Sequence, residues 1–320
     1  MKEALGKYFG QKLIFVVRIL LFCTVMYALF STIQHQQQGF EGLMTTFLSS
    51  WRGTPFYFWI ILLTLMGLNW TLESLKWQTL LQHIEPISTV KAFKSVLTGL
   101  ALGMLLPSGT GDVAGRIINL KKKTEGIGVG IVSGVIQTIV TISFGYFGLI
   151  YIVQKFGLKN SLESYLILGI PAFCIIALIV IWYLRNQKKL IKYQRIQQVL
   201  EAIYTLRKKQ WRSLFAIGIM RHLVFILQFC LLFNWAGVKL PFVDTLAIVN
   251  SVFLAKTIIP ALNFVSDLGV RELSAIYFMR HYAVDINQVI TATFSLWLLN
   301  IGIPVLIGSI WILFTRKNAH

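Results

Sequence analysis

Apolar stretches long enough to cross a bilayer recur along this chain, and two polar islands break them in the same way. The first island is Pro107-Ser108-Gly109-Thr110-Gly111-Asp112-Val113-Ala114-Gly115-Arg116. The second runs from Pro260 through Asn263 to Ser266-Asp267-Leu268-Gly269-Val270-Arg271-Glu272. Each follows a proline, and each sets an aspartate four residues ahead of an arginine: Asp112 and Arg116, then Asp267 and Arg271. Ionisable groups inside membrane segments are costly and mark a substrate path or a buried contact. A matched pair of such breaks in two halves of one chain is the pattern of a repeat-built transporter fold.

The balance of 56% hydrophobic to 13% charged residues, with mean hydropathy +0.70, excludes a soluble domain and a disordered chain. Lipid offers no partner to an open strand edge, so the expected class is an all-α integral membrane protein. Spanning stretches are expected at 12–32, 55–75, 127–153, 165–184, 213–235 and 287–314, about 20 residues being needed to cross. The first reads as a retained helix and not a cleaved signal, because no Ala-x-Ala-like exit follows it. Val96–Leu106 is too short to span, and Phe242–Leu262 carries Asp244, Asn250 and Lys256. Both read as re-entrant half-helices. About six spanning helices plus two broken-helix hairpins follow.

Loop charge supports this threading. With both termini inside, the inner segments hold 21 Lys and Arg and the outer segments hold 4, as the positive-inside rule requires. The chain then forms one polytopic membrane domain over 1–320. Repeat 1 covers about 55–153 and repeat 2 about 213–314, in inverted orientation, with their breaks meeting near the bilayer middle. Between them, 187–211 carries Leu190, Tyr193, Ile196, Val199, Ile203 and Leu206 at helical spacing among lysines and arginines. It reads as a basic amphipathic helix lying in the inner interface. The net charge of +18 gathers between spans. The expected partners are therefore anionic membrane lipids and not nucleic acid.

In the first island, Gly109, Gly111 and Gly115 permit tight turns and close approach of a helix or ligand. Ser108 and the residues after Pro107 leave N–H groups unpaired at a new helix start, which suits a phosphate. Arg116 would add a forked phosphate contact; alternatively Asp112 and Arg116 only neutralise the break. The second island repeats the theme with Asp267, Arg271 and Glu272, while Asn263 and Ser266 add neutral hydrogen-bonding groups. Lys256 faces a polar cavity or snorkels to an interface. Arg221-His222, within a spanning stretch, reads as pairing with an acid or reaching the interface more than as a substrate ligand. The histidines lack metal-ligand spacing, and no Gly-x-Ser-x-Gly nucleophile elbow occurs. Neither a metal nor a cofactor is expected. Cys23, Cys174 and Cys230 read as small buried hydrophobes.

On these motifs the chain resembles the lysylphosphatidylglycerol synthase transmembrane, or flippase-like, family. Leu106-Pro107-Ser108-Gly109-Thr110-Gly111-Asp112 through Arg116 matches its first motif, and Gly269 with Glu272 matches part of its second. The glycine-rich lead-in usual in the second motif is replaced by Asn263-Phe264-Val265-Ser266-Asp267. The resemblance implies movement of an anionic or headgroup-modified lipid between leaflets of a bacterial-type cytoplasmic membrane. The aminoacyl-transferase domain of its bifunctional members is absent from these residues, so this chain is not expected to make lysyl-lipid itself. Two other readings stand beside a flippase-like translocator of phospholipid or polyprenyl-phosphate type. One is a membrane enzyme acting on lipid phosphates through Asp112 or Asp267. The other is a non-catalytic membrane partner of a separately encoded lipid-modifying enzyme. A homodimer is one assembly that the sequence allows.

Overall fold

The computed structural model describes residues 39–105, 111–157, 206–259 and 266–317, together with position 169 and most of 23–34 plus positions 16 and 20. Ten α-helices carry the described fold: α1 (Gly39–Arg52), α2 (Phe56–Leu81), α3 (Thr89–Leu105), α4 (Gly111–Ile117) and α5 (Lys123–Phe156), then α6 (Lys208–Trp235), α7 (Phe242–Ile258), α8 (Arg271–Met279), α9 (Ile286–Trp297) and α10 (Ile303–Lys317). A short π-helical turn, Leu298–Gly302, joins α9 to α10 so that the two act as one long rod. No strand occurs among the described residues. Four elements are long and apolar enough to cross a bilayer: α2, α5, α6 and the joined rod Ile286–Leu313. The protein is an all-α integral membrane protein.

The described positions of the expected 12–32 span are helical, while 165–184, apart from position 169, lies outside the described residues. So does the expected amphipathic segment from 187 to 205. Its expected end needs correction, since Lys208–Trp211 are the first turn of spanning helix α6. The Gln210 side chain turns back to accept from the Arg207 N–H at 2.9 Å, which caps α6 at that point. Helix α5 stops at Gly157, whose φ of +77° is open to glycine and whose N–H closes on Val153 O at 2.8 Å. Helix α9 starts at Asp285, which accepts from the Asn287 N–H at 2.9 Å.

The two short pairs are hairpins. Helix α3 carries Gly99 and Gly103, α4 carries Gly111 and Gly115, and the two pairs face each other in antiparallel order. A methyl on Gly115 would lie 2.6 Å from Gly99 Cα, and one on Gly103 3.2 Å from the Asp112 nitrogen. Paired glycines let helix backbones touch, the usual way to pack helices where no water drives them together. In the second half, α7 lies against α8. Across the halves the packing is reciprocal. Helix α3 rests on α10, α7 rests on α5, and α2 rests on α6.

Two apolar clusters divide the interior. One gathers Leu62, Leu149, Phe229, Phe233, Val252 and Leu296. The other gathers Trp77, Leu80, Val96, Val129, Ile136 and Leu214. Between them runs a polar band. Asn69, Thr138, Arg221 and Asn300 each lie within one turn of the midpoint of their own spanning element.

Candidate functional site

The band is built around one carboxylate. Glu73 sits two-thirds of the way along α2 and is 2% exposed. Its Oε2 meets Lys76 Nζ at 2.8 Å, one turn further along the same helix. Its Oε1 meets Arg116 Nη1 from α4 at 2.7 Å, and its Oε2 meets Arg221 Nη1 from α6 at 3.0 Å. Ser133 on α5 adds a hydrogen bond to Oε1 at 3.3 Å. Removing ions from water costs several kcal/mol each, so such a group persists only among opposite charges, and three cations surround this carboxylate.

The arginines are fixed on several sides. Arg116 Nε donates to Asp112 Oδ1 at 3.0 Å, and its guanidinium lies over the Trp77 ring. Arg221 Nε donates to Asn69 Oδ1 at 3.0 Å, its Nη1 donates to Gln137 at 3.3 Å, and its guanidinium lies between Trp70 and Phe225. The Nη2 atoms of both arginines take no part in these bonds. From Asn69 the network continues to Asn300 and from Asn300 to Gln228, so α2, α6 and the last rod are tied by buried amides. His222 shares a 2.9 Å hydrogen bond with Asn250 of α7.

A cavity of about 340 Å³ opens against this cluster. Asp112, Arg116, Arg221, Lys256 and Arg271 give its wall its charge, and Trp70, Phe225 and Phe253 give it its apolar area. Each of the four long apolar elements and both hairpins contribute to it. Arg271 is 4% exposed, and its Nε is buried without a hydrogen-bond partner. Four cations against one carboxylate at a cavity wall give the positive excess that an anion requires.

Of the residues expected at a site, Asp112, Arg116, Lys256 and Arg271 come together on this wall. Gly111 does not reach it: a methyl there would run into Leu102 O of α3, so its role is helix contact. Glu272 also stands elsewhere. It is 1% exposed, accepts from the Gly269 N–H at 2.6 Å, and pairs with Arg271 at 3.4 Å. Gly269 has φ +147°, so the Gly-x-x-Glu motif is a turn that needs glycine and is closed by its own glutamate. Ser108, Gly109 and Asn263 lie outside the described residues, as does the side chain of Asp267. Among the described residues no group of His, Cys, Asp and Glu is placed to hold a metal ion.

Of the two readings of Arg221, an acid partner or the interface, the structure gives the acid, Glu73. Glu73, Lys76, Asn69 and Asn300 were not legible as site residues in the sequence. The signal that would have found them is a carboxylate and two amides inside spanning stretches, each beside tryptophan or leucine. A second ionic cluster lies at the far end of α5. Lys155 Nζ meets both Asp244 oxygens, at 2.7 and 2.6 Å, and the Tyr151 hydroxyl donates to Asp244 at 2.8 Å. Nearby, burial and then the Asp244 carboxylate push the Tyr282 phenol up to about 12.

The family profile described as "Lysylphosphatidylglycerol synthase TM region" matches residues 15–308. No curated protein matches the chain. The match spans nearly the whole sequence, and the chain belongs to this family of membrane domains.

Proposed function

We propose that this member of the family translocates an anionic or headgroup-modified lipid between leaflets, and that it acts as a transporter and not as an enzyme. The observation that carries this reading is the cavity where Arg116, Arg221, Lys256 and Arg271 meet at the middle of the spanning elements. A phosphate crossing a bilayer meets its highest barrier at that depth, and fixed cations there lower it. The reciprocal packing of α3 on α10 and α7 on α5 supports a pair of inverted repeats around that point. The surrounding membrane is a cytoplasmic membrane with both termini inside, in keeping with the excess of Lys and Arg in the inner segments. Anionic lipids are the partners of its basic inner segments.

The test is reconstitution into vesicles that carry labelled anionic, zwitterionic and aminoacylated lipids, with leaflet exposure followed by a membrane-impermeant quencher. Protein-dependent exchange of an anionic lipid without ATP is expected, with Arg116→Gln and Arg221→Gln slower by about tenfold or more, as for loss of a charge-assisted hydrogen bond. If no lipid in the panel moves under any imposed ion gradient, translocation is wrong.

A further inference from the structure

We propose that the central cavity is specific for an uncapped phosphate, a phosphate monoester, and rejects a phosphodiester or an aminoacylated headgroup. The inference rests on the cavity being the substrate site described above. Three observations carry it.

The first is the charge count. Lys76, Arg116, Arg221, Lys256 and Arg271 stand at or directly behind the wall against Glu73, Asp112 and Glu272, which leaves a surplus of two positive charges among the described side chains. Asp267, counted as well, still leaves a surplus of one. His222 is counted neutral. A phosphate monoester carries about −1.5 to −2 at neutral pH and matches the surplus of two; a surplus of one equals the charge of a diester, so geometry makes the choice between them. A phosphodiester has one charge, and a lysyl ester of a phosphodiester is a net cation.

The second is geometry. Arg116, Arg221 and Arg271 reach one cavity from three separate elements, α4, α6 and α8. A terminal phosphate offers three peripheral oxygens to such a ring of donors, whereas a diester offers two. Guanidinium forks suit phosphate oxygens better than point charges do.

The third is donor capacity that the bonds among the described residues leave over. Arg116 and Arg221 spend their Nε and Nη1 atoms on Glu73, Asp112, Asn69 and Gln137 and keep Nη2 out of those bonds. Arg271 keeps a buried Nε without a hydrogen-bond partner. Glu73 holds two of the arginines from the side away from the ligand, and Trp70, Trp77 and Phe225 stack on them.

The same chemistry belongs to a lipid phosphate and to free phosphate, and the experiment separates them. Purified wild-type protein is titrated by native mass spectrometry with phosphatidic acid, with phosphatidylglycerol of the same chains, with lysyl-phosphatidylglycerol and with inorganic phosphate. Phosphatidic acid is expected to bind about tenfold more tightly than either diester, a difference of about 1.4 kcal/mol. Its binding should weaken about tenfold from about pH 7.5 to about pH 5, because the second phosphate proton has a pKa near 6. The titratable groups on the wall, Asp112 on α4, Arg221 and His222 on α6, Lys256 on α7 and Arg271 on α8, and those behind it, Glu73 and Lys76 on α2 and Glu272 on α8, can only gain positive charge on acidification. They would strengthen anion binding, so a fall reports the ligand's proton. Phosphatidylglycerol should show no such fall.

Displacement of phosphatidic acid by equal inorganic phosphate assigns the site to the soluble ion, and resistance to displacement assigns it to the lipid; either supports the monoester. Equal binding of a diester, or a pH-independent phosphatidic acid affinity, overturns it. Arg221→Lys keeps the charge that Glu73 needs and loses the fork, and should reduce the preference for phosphatidic acid in folded protein. Exchange of phosphatidylglycerol without this preference would sink the inference and leave translocation standing. The preference with no lipid movement would do the reverse.

Discussion

Replacing Glu73 with glutamine keeps the side-chain volume and removes the one charge on which three cations converge. At separations near 3 Å and an effective dielectric of about 20, each ion contact carries roughly 5 kcal/mol of gross attraction. Most of that is offset by the several kcal/mol needed to strip water from each ion. What the substitution exposes is the imbalance: Lys76, Arg116 and Arg221 stay buried while only Asp112 still faces one of them. One-sided removal from a buried pair costs about 3–5 kcal/mol. At roughly 2–4 °C per kcal/mol this is a fall on the order of 10 °C in the melting temperature. The assay is thermal unfolding of detergent-purified Glu73→Gln by intrinsic fluorescence or dispersity. The double variant Glu73→Gln/Lys76→Met removes one stranded cation and should recover part of the loss. Asp112→Asn is the internal comparison: its side chain is 38% exposed, so water replaces its partner and the cost should stay below about 1 kcal/mol. If Glu73→Gln melts within about 2 °C of the wild type, or costs no more than Asp112→Asn, the carboxylate is not the hub that its contacts imply.

Gly115→Leu should disrupt the α3–α4 hairpin by at least about 1–3 kcal/mol, because its new side chain would start 2.6 Å from Gly99 Cα; unchanged stability would show that the helices separate freely. Glu272→Ala strands the buried Gly269 N–H and should cost about 1–3 kcal/mol in the same thermal assay. Gly269→Ala should also destabilise, through its φ of +147°. Single cysteines at Lys122 and Arg280 on a cysteine-free background should react with impermeant reagent from opposite sides, inside and outside respectively. Reaction of both from one side would break the inverted threading.

The helical class and both hairpins were legible because long apolar runs, each broken at a proline, leave few alternatives in lipid. Legibility failed where polar residues sat near a helix end. Helix α2 was expected to stop at about residue 75, which put Lys76 and the region after it among inner loop charges. It runs to Leu81, and Glu73 and Lys76 are buried in it. A bilayer needs about 20 residues, and α2 uses 26, so the extra turns looked like loop. Arg221 signalled an acid partner or the interface, yet Glu73 lies far away in sequence and only folding brings them together. The sequence offers Asp112 and Arg116 as a phosphate site or as a neutralising pair, and they do pair; it does not show that Arg116 spends its second nitrogen on another helix. Glu272 illustrates the opposite error. A motif glutamate looks like a ligand for substrate, but here it closes its own turn.

Reciprocal packing also governs how the protein can be assembled. The hairpin of α3 and α4 leans on α10, and the hairpin of α7 and α8 leans on α5, so each half supplies the other with a wall. Neither half is then a domain in the ordinary sense, and a fragment ending near residue 157 would expose Gly145 and Gly148, whose Cβ positions lie against α7 backbone and Leu254. Co-expressed as two pieces, 1–157 and 206–320, the halves should find each other and stay together through purification, while either alone should be degraded.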